Sequence, residues 1–363
     1  MLLDTFKGSD KAQDRWLIFY ASNHGFGHLT RVMAIIDQLM VIGDYRISLV
    51  TGDKQGEFAK FYLKKYGDRI EVRTKDIDVG IICYENSLDV DVKKSNHHIK
   101  NYLNTLDYMV EEEVLFYRDR SNVRIIVDIS ILGIRLGRIL GVPTTLITNF
   151  TWCEQYEHFH MDRDIIDTFE REYRSCDSII EYDVSLGMEG YGKTIKTGVL
   201  SREIDYSKVE ELRKKYGRIL MVSCGKSASL GNIKIINFEG TIIKTSGIEV
   251  ESSCPVIELP LSVSNTQDYV AASEMIITKA GWGTIGEGLV GHTPMLLIER
   301  DVREDSEMTA NLVERRLALS ITTDELKEVD YIKWSRRIDN YILKENLDSL
   351  TNSALEVANL LLN

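Results

Sequence analysis

Residues 16–40 read WLIFYASNHGFGHLTRVMAIIDQLM, and this stretch decides the fold. Trp16–Ala21 is a short, unbroken apolar run, the pattern of a strand buried on both faces. Ser22–His28 follows as a glycine-rich turn, where Gly25 and Gly27 let the backbone bend sharply. From about Leu29 the apolar residues Leu29, Val32, Met33, Ile36, Leu39 and Met40 recur at helical spacing. Strand, tight turn and amphipathic helix in this order begin a parallel α/β sheet.

The alternation continues beyond it. Arg46–Thr51 reads as a second strand. His97–Arg120 reads as a long helix with Tyr102, Leu106, Met109 or Val110, and Leu115 on one face. Val123–Asp128 is a strand, Leu132–Leu140 an apolar helix, and Thr144–Thr148 a strand after Gly141 and Pro143. A charged helix, Tyr206–Tyr216, precedes a second series: strands at Arg218–Cys224, Thr241–Lys244, Ile248–Ser252, Met275–Thr278 and Thr293–Glu299. Helical segments lie between them and over Tyr331–Asn363. The expectation is two Rossmann-like domains, residues 1–200 and 201–345, with 346–363 as a C-terminal helix.

The totals agree with two domains, because 363 residues exceed the roughly 100–200 of a single domain. A net charge of −12 argues against a general nucleic-acid-binding surface. The five cysteines are scattered with no Cys-x-x-Cys pair, which suits free thiols in a reducing cytoplasm. Residues 1–15 carry Asp4, Lys7, Asp10, Lys11, Asp14 and Arg15 rather than the apolar stretch of a signal peptide. No apolar run approaches the roughly 18 residues of a membrane span. A cytoplasmic location is therefore expected.

Ligands of open parallel sheets sit beyond the carboxyl ends of the strands, and three loops stand there. The first is Asn23–His28, facing the positive end of the helix that follows. His28 at its edge is suited to accept a proton near neutral pH, although a glycine turn with a capping histidine is equally common. His24 reads as a solvated loop histidine. The second loop, Ser223-Cys224-Gly225-Lys226-Ser227, lacks the first glycine of a Walker P-loop, since Leu220 stands in its place. A looser phosphate or sugar contact through Gly225 and Lys226 is left. The third, Lys279-Ala280-Gly281-Trp282-Gly283-Thr284, precedes a helix read as Ile285–Val290 and is the stronger anion site. Thr284 could cap the helix or donate to phosphate. Glu287, one turn in, could accept both hydroxyls of a ribose or simply balance the helix dipole. Trp282 could stack on base or sugar, and packing is as common.

Other clusters read as ordinary surface. His97-His98 and His158-x-His160 lack acidic or thiol partners at metal-ligand spacing, so no metal site is expected. Glu111–Glu113 reads as a solvated helix face. Lys60, Lys64, Lys65 and Arg69 beside Phe58, Phe61 and Tyr62 could touch an anionic membrane, but an amphipathic helix packed on its own sheet is the commoner arrangement.

Taken together, Asn23–Arg31, Asp128-Ile129-Ser130, Leu132–Ile134, Gly141–Pro143, Asn149–Trp152 and Lys279–Thr284 with Glu287 resemble the GT-B glycosyltransferases related to the MurG type. They are more similar still to the GT-like domain at the N-terminus of arabinokinases. The resemblance implies two Rossmann-like domains facing across a cleft, a nucleotide-sugar donor held by the C-terminal domain and an acceptor held by the N-terminal one. It implies donor contacts at Gly281, Gly283 and Thr284 with Glu287 on the ribose, and the loop readings add Gly225, Lys226, Lys279 and Trp282 to the expected donor side. It puts His24, Gly25, Gly27, Asp128 and Asn149 on the acceptor side, His28 at the catalytic position, and the last helix, Asp348–Asn363, back against the first domain. It departs from the MurG pattern at Glu307-Met308, where a Gln pair is expected before the position of Asn311. The implied activity is metal-independent, inverting transfer with no cofactor and with donors of the UDP-sugar type. A nucleotide-sugar hydrolase and a non-catalytic sugar-nucleotide sensor remain as alternatives.

Overall fold

The structure is a computed structural model that describes residues 15–84, 90–223, 230–260 and 262–362. In the first half β1 (Trp16–Ala21), α1 (Gly27–Ile42), β2 (Arg46–Thr51), α2 (Asp53–Leu63), β3 (Ile70–Thr74), α3 (Val92–Tyr117), β4 (Val123–Asp128), α4 (Ile131–Leu140), β5 (Thr144–Thr148), α5 (Trp152–His158), α6 (Arg163–Tyr173), β6 (Ser178–Glu181) and β7 (Thr194–Lys196) follow one another. Their strands form one sheet in the order β3-β2-β1-β4-β5-β6-β7.

In the second half come α7 (Tyr206–Tyr216), β8 (Ile219–Ser223), β9 (Leu230–Ile236), β10 (Thr241–Lys244), β11 (Ile248–Ser252), β12 (Val256–Glu258), α8 (Thr266–Ala272), β13 (Met275–Lys279), α9 (Trp282–Val290), β14 (Met295–Ile298), α10 (Arg303–Glu314) and β15 (Ala318–Ile321). Then follow α11 (Thr323–Leu326), β16 (Glu328–Asp330), α12 (Tyr331–Tyr341), α13 (Lys344–Asp348) and α14 (Ala354–Leu360). A six-stranded sheet runs β12-β10-β8-β13-β14-β15, and a smaller one runs β11-β9-β16. The chain is thus two Rossmann-like domains facing across a cleft.

The apolar runs fold this way because both faces of each central strand are covered. Leu17, Phe19 and Ala21 of β1 enter one core, and Ile18 and Tyr20 enter another. Likewise Ile219 and Met221 of β8 face one way while Leu220 and Val222 face the other. The first core runs on from the N-terminal sheet through α1 to α9 and α14.

Some sequence expectations need correction. The segment Tyr331–Asn363 is three short helices among its described residues, broken at Ile342–Leu343 and Ser349–Ser353. Both helices at the expected ligand loops start earlier than their apolar periodicity suggests, at Gly27 and Trp282, because their first turns are glycine-rich and carry no apolar stripe. Glu113 is not solvated. It is fully buried, accepts from Tyr20 Oη at 2.6 Å and is gripped by Arg73 at 2.7 and 2.8 Å. Among the described residues no helix is long and apolar enough to cross a membrane.

Candidate functional site

Each large sheet reverses its winding at one point, between β1 and β4 in the first and between β8 and β13 in the second. These switch points are where open α/β sheets bind ligands. The register sets the ends level: Ala21 pairs with Asp128, and Thr278 with Ser223. From the two points α1 and α9 set off, and their first turns touch. A Cβ on Gly283 would stand 2.9 Å from Gly27 Cα and 2.9 Å from Thr30 Oγ1. Glycine at both positions lets two positive helix ends converge. They border a cavity of about 620 Å³ lined by His24, Gly25, Gly27 and His28 on one side and Lys279, Gly281, Gly283, Thr284 and Glu287 on the other.

His28 sits in the first turn of α1. Its Nδ1 lies 2.9 Å from Asp128 Oδ1 and 2.8 Å from Arg31 Nη2. Arg31, one turn further on, forks onto Asp128 through Nε at 2.6 Å and Nη2 at 2.5 Å, and reaches Asn149 Oδ1 at 2.5 Å through Nη1. Burial pushes the Asp128 carboxyl up, but the Arg31 charge outweighs it, and the group is held below the usual carboxylate range. The two contacts of His28 Nδ1 belong to different tautomers. With a proton on Nδ1, Asp128 accepts it and Nε2 is free to take another. With the proton on Nε2, Nδ1 accepts from Arg31.

Asp128 and Asn149 were expected against the acceptor. Both are fully buried behind His28 and Arg31, and neither lines the cavity. Ile129, directly after Asp128, is held at φ 58°, a left-handed conformation costly for a β-branched residue. Its carbonyl accepts from Tyr173 Oη at 2.8 Å.

On the other side, the first turn of α9 leaves its N–H groups without intrahelical partners. Gly281 is its N-cap, so Thr284 lies inside the helix and does not cap it. Lys279 stands at the carboxyl end of β13 with no ion-pair partner among the described residues. Glu287 is buried, accepts from Arg202 Nη2 at 2.6 Å, and has Thr266 Oγ1 at 3.4 Å. Arg202, itself 1% exposed, also donates to the Ser264 carbonyl and to Thr266 Oγ1. Glu287 is therefore oriented by a cation, which goes beyond dipole compensation. Trp282 is turned mostly toward the other domain: its Nε1 donates to the Asp183 carbonyl at 3.0 Å and its ring lies 4.9 Å from that of Tyr182. Both rings cover the Arg31 guanidinium, at 5.3 and 5.4 Å. Gly225 and Lys226 lie outside the described residues.

His24 is not solvated. It is half-buried with its ring edge-on to Trp152 at 5.2 Å. Burial first, then the charges of His28, Lys279 and Arg300, lower its pKa to about 3. Of the pair Glu307-Met308, Glu307 is exposed on Arg303, and Met308 is buried with its Sδ 3.4 Å from Asn149 Nδ2. The carboxylates facing the cavity from α10 are Glu304 and Asp305. Asp305 pairs with Arg300 at 2.7 Å. Burial and the neighbouring Asp305 raise Glu304 to about 7, against the pull of Arg31. Sequence reading missed Glu304, Arg202 and the role of Arg31. Only Arg31 carried a local signal, its place one turn after His28. Among the described residues no group of three or more His, Cys, Asp or Glu could hold a metal ion.

No protein-family model matches the chain. An L-arabinokinase of Arabidopsis thaliana is 24% identical over 321 residues, which is 84% of this chain and 30% of that protein. The chain thus spans less than a third of the length of this curated relative. Among solved structures, a UDP-glucosyltransferase from Polygonum tinctorium superposes with a TM-score of 0.63 at 11% identity, covering 97% of this chain and all of that one. Phytolacca americana UGT2, complexed with UDP-2-fluoro-glucose and pterostilbene, gives 0.62 at 13% identity over 96% of this chain. The spinosyn forosaminyltransferase SpnP gives 0.59 at 11% identity over 96%. The fold is that of the GT-B glycosyltransferases.

Proposed function

We propose that this chain transfers a sugar from a nucleoside diphosphate donor to an acceptor hydroxyl, without a metal and with inversion at the anomeric carbon. The observation that carries the reading is the His28–Asp128–Arg31 cluster facing the first turn of α9 across one cavity. In the productive tautomer Asp128 accepts the Nδ1 proton, and His28 Nε2 takes the proton of the attacking hydroxyl. The acceptor oxygen bonds to the anomeric carbon as the bond from that carbon to the diphosphate breaks. The electron pair leaves on the diphosphate, whose growing charge is met by the N–H groups of α9 and by Lys279. Glu287, oriented by Arg202, receives the ribose hydroxyls. Kinship with the MurG type is part of the same proposal and rests on His28, Gly281–Thr284 and Glu287.

UDP is the first nucleotide to try, because Phytolacca UGT2 is seen with a UDP-sugar. Calorimetric titration with UDP, GDP, dTDP and ADP should find one diphosphate that binds wild type and is weakened by Glu287→Ala. With its sugar as donor, His28→Ala should lose about 10²–10⁴-fold in turnover and keep donor affinity. Equal loss of both would remove His28 from the reaction. Tight donor binding without turnover in wild type would make the chain a sensor, and donor loss with water alone would make it a hydrolase.

A further inference from the structure

Gln155, on α5, lies at the N-terminal side of the cavity and is 1% exposed. Its Nε2 and Oε1 are both buried, and neither has a hydrogen-bond partner among the described residues. An amide so placed costs free energy until a ligand supplies both an acceptor and a donor. A carboxylate would answer Nε2 alone and an ammonium Oε1 alone. Neighbouring hydroxyls answer both.

The walls fit the same ligand. Trp152 and His24 meet edge to face at 5.2 Å, and Ile81 and the exposed Tyr84 complete an apolar and aromatic border. Such surfaces pack on the C–H faces of a saturated ring. His24 stays uncharged at neutral pH; of the cavity's cations, Lys279, Arg202 and Arg300 belong to the facing domain, and Arg31 on this side is paired with Asp128.

We propose that this end of the cavity is a subsite for a neutral, polyhydroxylated ring, read by the Gln155 side-chain amide between Trp152 and His24. The inference deepens the glycosyl-transfer reading and rests on it for the ring's role as acceptor. The ring itself is testable without turnover.

Saturation-transfer NMR with methyl β-D-glucopyranoside, myo-inositol and 4-methylumbelliferone is the experiment, on wild type and on Gln155→Met, with UDP titrated separately into both. The polyols should bind wild type, and binding should weaken about tenfold or more in Gln155→Met. The variant's thermal midpoint should stay level or rise, since two unpaired buried polar atoms are gone, and UDP affinity should be unchanged. A side chain that only packed would lower the midpoint and leave polyol binding alone, which would overturn the proposal. Binding of the phenol alone would overturn it too. Polyol binding without UDP binding would keep the subsite and end the reading of UDP as the donor nucleotide. UDP binding without any polyol would do the reverse.

Discussion

At the scale of residues, the site is a set of charges that answer one another. Arg31 is almost fully buried and serves Asp128 and Asn149 through one planar fork. Arg31→Met should leave the Asp128 carboxylate buried without its partner, a loss of about 3–5 kcal/mol. Urea denaturation reads this directly, and a change below about 1 kcal/mol would show that the fork carries little. Glu304 behaves differently. Its pKa is raised to about 7 in the folded chain, against about 4.3 when unperturbed. The folded state therefore holds this proton more tightly than the unfolded one. The contribution is full below the ordinary value and is lost as pH rises through about 7. Between pH 5 and 8 wild type should lose stability, and Glu304→Gln should lose less. Parallel thermal-midpoint profiles for the two proteins would refute this.

At the scale of elements, the two helix starts fix the cleft. Gly283→Ala would push a methyl into Gly27 Cα and Thr30 Oγ1, and the first of these is backbone that cannot swing aside. The expected cost is about 1–3 kcal/mol by chemical denaturation. Gly190→Ala, where the added carbon meets nothing within 4 Å among the described residues, is the neutral control. Loss of equal size in both would mean that the close approach is slack. The strands of this frame were legible in the sequence wherever a parallel sheet buries both faces. Trp16–Ala21 is an unbroken apolar run, Arg46–Thr51, Val123–Asp128 and Thr144–Thr148 have apolar centres, and all four fold with those bounds. β7 and β16 are three residues long with charged members, and β9 follows a serine- and glycine-rich stretch, so no period marks them. In the site, the glycine loops and His28 were readable because each is a local pattern. The clamp of Arg31 on Asp128 and Asn149, the pairing of Arg202 with Glu287, and the approach of Glu304 join residues from different elements. No spacing along the chain encodes them.

At the scale of the whole molecule, the halves are joined by more than a linker. α14 packs on α1 through Ala354, Val357 and Ala358 within a core that also holds Leu29 and Ile285. Asn352 exchanges two hydrogen bonds with the backbone of Ser201, and Arg124 donates to the Leu361 carbonyl at 2.9 Å. Arg315 pairs with Asp183 at 2.8 and 2.9 Å beside the Trp282 contact. A shared core of this kind should unfold as one unit. Variants keeping only Trp152, in the first domain, or only Trp334, in the second, should show coincident fluorescence midpoints in urea. Two separated transitions would mean that the domains melt independently.

The winding of the sheets has a consequence for how the chain reaches this state. Every strand ladder among the described residues is parallel, including the small sheet of β9, β11 and β16. Parallel neighbours cannot be joined by a tight hairpin, so each ladder must wait for a crossover to close. The central ladder waits longest: Trp16 finds Val123 only after β2, β3 and α3 have been made. Refolding from denaturant should therefore be slow, on the order of seconds rather than milliseconds. During synthesis, the apolar edge of β1 has only the β2 ladder to shelter it until the β4 segment emerges, and this is the interval in which a chaperone has most to protect.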